Sequence, residues 1–452
     1  MMFEDSLPGI KRFLAGAALS AARFGLLSGL MAAFVTHVGR MSASAAAGAV
    51  RTRARHRAAV VRFLDKAGIT SDWTVLSRCA DLLLACEAGR TGWVFVADQT
   101  LCGQQGAKTE NTVRHGNFRP RPKNSLRRQK TWARRSCHTF VMALLLSPGG
   151  LRLPCFRCHR TRDYCRERGL DYRTQTQLAA ELIRNSPAPD GPGTVMLGDT
   201  AFDAEVIRSA CRERGWIWIV PVNPERVLAG AGPRRKVSSL AGELDAEGFA
   251  PVRLVPGKGR RAAQRRAARC RTGPRSKART YHVHGESREV HSVGRVRLVF
   301  STTEKPEHGR PVRVQKTLMT NGLSLSAAEV AELYDLRWQI ELFFKELKGT
   351  LGMHRYRFRR FAKVEAWTAV CLLTFVYLEW RRAVRLRRPG PADADRDRWR
   401  AKRTHALCAA VRTEAEGAEL SRMAGWTRTR GGLRRLKRAL RAAVPWEFRE
   451  AG

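Results

Sequence analysis

The sequence predicts an α/β fold on three observations. Two short apolar runs, Gly92–Asp98 and Thr194–Asp199, each end in an aspartate. Helical stretches alternate with β-like runs along the middle of the chain. A capped helix beginning near residue 327 carries an ordered set of polar side chains. The chain has 452 residues, enough for two or three domains and a full hydrophobic core. Its hydrophobic fraction of 44% is that of an ordinary globular protein. Its charge is not ordinary: 83 Lys and Arg stand against 40 Asp and Glu, a net +43. Such an excess points to a polyanionic partner, and nucleic acid is the first expectation.

Residues 1–90 read as a helical N-terminal region, with helices expected over 20–38, 58–66 and 72–88. Arg51, Arg53, Arg55 and Arg62 punctuate it. A small DNA-binding domain and a helical cap on the next domain both fit, and no helix-turn-helix spacing stands out. The apolar stretch Phe24–Gly39 is shorter than a bilayer span and is bounded by Arg23 and Arg40. It also begins behind charges of both signs, so it is read as a core helix rather than a membrane span or export signal. The eleven cysteines then imply reduced thiols and a cytoplasmic setting. Cys155-Phe-Arg-Cys158-His159, with Cys165, invites a metal reading. No second pair completes a four-ligand zinc site, and the segment is read as a strand end.

Gly92–Asp98 reads as a buried strand with its carboxylate at the tip, followed by a basic segment over 99–135. A hairpin is expected over 139–156, turning at Ser147-Pro-Gly-Gly150. A helix over 175–184, the acid-tipped strand Thr194–Asp199, a helix over 203–214 and a strand over 216–222 follow. From 223 to 322 the composition shifts to β-like runs at 252–255, 295–301 and 312–319. Between them, Gly257–Arg279 carries ten Lys or Arg and no large apolar side chain, and reads as a loop. Ser326-Ala-Ala-Glu329 is a capping box that starts one helix running to about residue 350. A second apolar helix is expected over 363–381, and two basic helical segments near 396–415 and 430–443.

On the helix beginning at 327, Tyr334, Arg337, Glu341 and Lys348 fall within an arc of about 60°. One carboxylate among cations suits a metal ion and a phosphate chain. Asp98 and Asp199 supply two further acids at strand ends, and carboxylate oxygens are hard ligands for Mg²⁺ or Mn²⁺. Two such ions activate an attacking hydroxyl and stabilise the leaving oxygen of a phosphodiester. Asp203 competes with Asp199 as a ligand, but its place at a helix start reads as a cap. Arg337 has a plain reading too, as an i,i+4 partner of Glu341. Trp216 and Trp218 could stack on a flipped base, although their β run favours the core.

These residues resemble the DDE transposases of bacterial insertion sequences, specifically the insertion sequence four family. Its signature Y-x₂-R-x₃-E-x₆-K is matched by Tyr334, Arg337, Glu341 and Lys348, and its two aspartate motifs by Asp98 and by Asp199-Thr-Ala-Phe202. The resemblance spans at least residues 92–380. It implies a ribonuclease-H-like mixed sheet flanked by helices, with a first core part over 91–222 and a β-rich insertion with a basic loop over 223–322. The second core part, with the signature helix, is 323–385, and a basic helical C-terminal region fills 386–452.

The resemblance further implies that Asp98, Asp199 and Glu341 are catalytic and bind two divalent ions, Mg²⁺ or Mn²⁺. Tyr334, Arg337 and Lys348 would contact DNA. The partners would be double-stranded DNA, as terminal inverted repeats and target, and a second copy of the chain in a homodimer, with no membrane. Two other readings stand beside cut-and-paste transposition: a ribonuclease-H-like nuclease without strand transfer, and a domesticated, non-catalytic DNA-binding protein.

Overall fold

The structure is a computed structural model that describes residues 9–37, 41–43, 45–46, 55–66, 68–70, 74–87, 89–103, 109–115, 135–230, 234–254, 279–310, 312–387 and 402–427. In chain order the helices are α1 (Ile10–Leu14), α2 (Ala21–Thr36), α3 (Arg55–Lys66), α4 (Thr74–Leu84), α5 (Arg162–Arg168), α6 (Gln175–Arg184), α7 (Glu205–Glu213), α8 (Val237–Gly242), α9 (Ala327–Asp335), α10 (Trp338–Gly349), α11 (Phe361–Arg387) and α12 (Thr404–Thr427). The strands are β1 (Trp93–Gly103), β2 (Val113–His115), β3 (Arg135–Leu146), β4 (Arg152–His159), β5 (Thr194–Leu197), β6 (Ile217–Pro221), β7 (Ala250–Leu254), β8 (Arg279–Val290), β9 (Gly294–Thr302) and β10 (Lys316–Thr320). The chain forms two compact units. One comprises Gly89–Leu101 and Thr139–Phe343; the other comprises Met1–Ala88, Cys102–His138 and Phe344–Gly452.

The first of these units is built on a mixed sheet. β3 and β4 form the expected hairpin, paired from Thr139↔His159 to Leu146↔Arg152. Its turn is held by the Leu151 N–H donating to Ser147 Oγ at 2.8 Å. β1 pairs parallel with β5, and β5 with β6, while α6 and α7 occupy the connections between β4, β5 and β6. Parallel strands covered on both faces read as unbroken apolar runs, and Trp93–Ala97 and Thr194–Leu197 are buried throughout. The order β4-β3-β1-β5-β6 meets the ribonuclease-H-like expectation. Beyond β6 the sheet continues antiparallel through β10, β9, β8 and β7, so the strands between 250 and 320 extend the same sheet. α9 packs against β7, β8 and β9.

Several expectations need correction. β1 runs on past Asp98 to Gly103, so this acid lies within a strand rather than at its tip. β8 was not foreseen, because only Val283 and Val290 along its length are buried and its alternation is mostly polar. The short α5 was missed too; Thr161 caps it by accepting from Tyr164 N, and Gly169 ends it at φ +61°. The helix expected from Asp203 starts at Glu205, with Ala204 as its cap residue. Of the basic loop expected over 257–279, all but Arg279 lies outside the described residues, as does the segment 430–443.

The helical unit is organised around α11, against which α2, α3, α4 and α12 pack. Phe13 meets Tyr377 and Trp380 with ring centroids 5.4 and 5.5 Å apart, and Phe34 meets Trp367 at 4.9 Å. α11 is long and apolar enough to cross a membrane by composition, yet 89% of its apolar window is buried. It also carries buried Glu365, Glu379 and Arg382, with Arg382 Nη1 3.0 Å from Glu379. These features make it the core helix of this unit.

Trp216 ties the strand core together. It is 1% exposed, stands 5.5 Å from Phe95, and donates Nε1–H to the Pro189 carbonyl at 2.9 Å. Trp218 is buried as well, so both indoles belong to the core and neither is available to a flipped base. Trp216→Ala is expected to cost about 3–5 kcal/mol. Denaturant unfolding checks this as a lower midpoint at unchanged slope.

Candidate functional site

The β1–β5 register brings two acids together. Pairing runs from Trp93↔Thr194 to Val96↔Leu197; past it β1 continues to Asp98, while the chain beyond β5 turns off at Asp199. Asp199 has left the ladder and caps the short 3₁₀ turn Thr200–Phe202, its Oδ1 accepting from Ala201 N at 2.9 Å. Asp98 Oδ1 accepts from Gln99 N at 2.7 Å. Gly198 lets the turn close: a Cβ there would come within 2.7 Å of Phe202 Cβ.

The third acid arrives on a broken helix. The capping box forms as read, with Ser326 Oγ accepting from Glu329 N and Glu329 accepting from Ser326 N. The single helix predicted from 327 to 350 is instead α9 and α10, separated at Leu336–Arg337. Hydrogen bonds Arg337 N→Tyr334 O and Gln339 N→Leu336 O, both i→i−3, tighten the chain there. The uniform phase of 100° per residue therefore does not carry across the signature. The break lets Tyr334 and Arg337 serve different strands. Buried Tyr334 donates to the Gly198 carbonyl at 3.3 Å, next to Asp199. Arg337 reaches Glu341 Oε1 at 2.6 Å and Asp98 Oδ2 at 3.5 Å. Asp98, Asp199, Tyr334, Arg337 and Glu341 thus share one unit. Lys348 belongs to the other, its ammonium 6.0 Å from the Phe344 ring.

Charged neighbours and burial shift the titration of these groups. The Asp98 carboxyl is pushed from 3.8 up to about 6 by burial and then by Asp199, with Glu341 adding; the Gln99 N–H and Arg337 oppose this. The Tyr334 phenol is raised by burial, Arg337 pulling against Asp199 and Asp98. Burial disfavours the Arg337 cation, yet Tyr334, Glu341 and Asp98 together hold its pKa above the ordinary value. Lys316, which the sequence reading passed over, sits 4.6 Å over the Tyr334 ring. Desolvation and Arg337 lower its pKa, while Glu341 raises it. Its only signal in the sequence is one lysine at the start of a strand, too common a feature to single out.

The donor set suits a hard divalent cation: three carboxylates, of which Asp98 carries strain from its acidic neighbours. As placed, no three His, Cys, Asp or Glu side chains among the described residues stand together as a metal site. Arg337 is instead the cation shared by Asp98 and Glu341. Asp203 is neither a cap nor a free ligand, because both of its oxygens are held by Arg208 and Arg226. Cys155 and Cys158 lie on β4 three residues apart, which turns them to opposite faces.

Residues 168–377, slightly under half of the chain, match the family model described as the transposase DDE domain. The match contains Asp199, Tyr334, Arg337, Glu341 and Lys348, while Asp98 precedes it. It supports a DDE transposase and agrees with the ribonuclease-H-like sheet. No curated protein matches the chain.

The raised pKa of Asp98 has a signed consequence for stability. The folded protein holds this proton more tightly than the unfolded chain, so metal-free stability is lost as pH rises from about 4 to about 6. Asp98→Asn removes that loss. In a chelator it is expected to raise the melting temperature by a few degrees at neutral pH and to change it little at about pH 4. Added Mg²⁺ should then raise the melting temperature of the wild type and not that of the variant. Equal melting curves at neutral pH in chelator would show that Asp98 is not electrostatically strained.

Proposed function

We infer that the protein is a transposase that cleaves DNA at the ends of an insertion sequence, and that it joins those ends to target DNA by cut-and-paste transposition. The observation that carries this reading is the nearness of Asp98, on β1, to Asp199, in the turn two residues past the end of the parallel neighbour β5. Glu341 is linked to Asp98 through Arg337, and residues 168–377, which hold β5 to β10 but not β1, match a transposase DDE domain.

Asp98, Asp199 and Glu341 are the residues that would hold Mg²⁺ or Mn²⁺, in all two ions. Bound metal supplies Lewis-acid stabilisation of phosphodiester oxygens and a more acidic attacking hydroxyl. The chain's own residues do the rest. Tyr334, anchored to the Gly198 carbonyl, sets the position of the turn ahead of Arg337 and so the reach of Glu341 toward β1. Arg337 balances the acids and offers its remaining donors to DNA phosphate. Lys316, over the Tyr334 ring, adds a second cation beside Arg337, and Lys348 is a further DNA contact. The net charge of +43 draws the duplex in at long range. The active complex is a homodimer on paired terminal inverted repeats, acting in the cytoplasm.

The deciding experiment is a cleavage and strand-transfer assay in Mg²⁺, using duplexes that carry the sequences flanking the coding region. Asp98→Ala, Asp199→Ala and Glu341→Gln should each lower cleavage by about 10³-fold or more, with DNA affinity within about threefold of wild type. A variant that cuts normally removes its residue from the site. Cleavage without joined product favours the nuclease, and binding without cleavage the domesticated protein.

Arg337→Ala should weaken binding of the same duplexes and lower the slope of log K against log salt by about one. An unchanged slope would leave Arg337 with only its structural partners.

A further inference from the structure

Thr200, Asp203, Asn223, Glu225 and Arg226 line a cleft of about 320 Å³. Thr200 directly follows Asp199, and Asn223 lies two residues beyond the end of β6. The cleft therefore sits past the carboxyl ends of two parallel strands, where ligands of α/β sheets gather.

Its lining is held in place from below. The Asp203 side chain is 4% exposed and binds Arg208 through one oxygen and Arg226 Nε through the other, at 2.7 Å. A buried carboxylate saturated by two guanidinium groups is no ligand for a third group; it fixes where Arg226 stands. Arg226 Nη2 has only the Asp203 carbonyl at 3.5 Å, and Nη1 has no partner among the described residues. The Thr200 hydroxyl and the Asn223 amide nitrogen are likewise unpartnered there, since Asn223 Oδ1 is taken by the Glu225 N–H at 3.0 Å. Lys236, 2.6 Å from Glu225, neutralises the other acid of the lining. Counted with their partners, four cations (Arg208, Arg212, Arg226, Lys236) stand against three acids (Asp203, Glu205, Glu225), which leaves the group positive by one. The Arg226 guanidinium, the Thr200 hydroxyl and the Asn223 amide nitrogen can each donate, and such a set recognises an anion with several acceptor oxygens, while Lys236 holds the Glu225 carboxylate.

We propose that this cleft is a phosphate subsite for the DNA strand engaged at Asp199. Arg226, Thr200 and Asn223 receive a backbone phosphate flanking the reacting one, and Asp203 is the positioning residue behind Arg226. The proposal rests on the DNA-processing reading above.

The test uses the full chain and a short labelled DNA duplex of mixed sequence, with dissociation constants measured over a series of KCl concentrations. Arg226→Ala should weaken binding about three- to tenfold and lower the salt slope by about one. Asn223→Ala should weaken binding while leaving the slope unchanged, because a neutral donor releases no counterion. Asp203→Asn should reproduce the Arg226 defect in part. Circular dichroism melting identifies any variant that has lost its fold, and Arg226→Lys, which keeps the charge, should restore the slope. Wild-type binding with an unaltered slope for a folded Arg226→Ala overturns the subsite alone. A wild type that shows no salt-dependent DNA binding overturns the reading beneath it.

Discussion

The parallel register between β1 and β5 is the constraint on which the candidate site depends. An offset of one residue would turn Asp98 to the other face of the sheet, away from the turn that carries Asp199. The register is held by the buried apolar run Trp93–Ala97 against Thr194–Leu197, where a slip would carry every side chain to the wrong face. Hydrophobic packing therefore places two like charges side by side, an arrangement that electrostatics alone would oppose.

The cost appears in Asp98. Its carboxyl is half-buried among acids, and Arg337 relieves only part of the repulsion. Proteins store such strain at functional sites because a ligand of the right charge releases it. Tyr334 makes the arrangement rigid. Its hydroxyl on the Gly198 carbonyl joins the end of α9 to the turn that carries Asp199. The short break at Leu336–Arg337 then gives Arg337 and Glu341 a direction that a straight helix would not.

Much of the strand core was legible. The hairpin, α6 and both buried apolar runs follow from period and turn chemistry, which are local properties, although β1 runs on past Asp98. The capping box at Ser326 is local too, and it was read correctly. β8 was not legible because its neighbours in the sheet, not its own residues, make it a strand. The continuation of the sheet through β10, β9, β8 and β7 was hidden for the same reason. Asp203 misled because an aspartate near a helix start resembles a cap. Its partners Arg208 and Arg226 come from five and twenty-three residues further on.

The chain's residues by themselves determined the class of fold, the three acids and the spacing of Tyr334, Arg337 and Glu341. These depend on periodicity and on side-chain chemistry, both of which are written locally. Tertiary structure alone decided that Asp98 lies near Asp199, that the signature helix is broken and that Arg337 spans two acids. It also decided that Asp203 serves Arg226. Each of these depends on pairing between segments far apart in the chain, where burial of apolar strands sets the distances between charges.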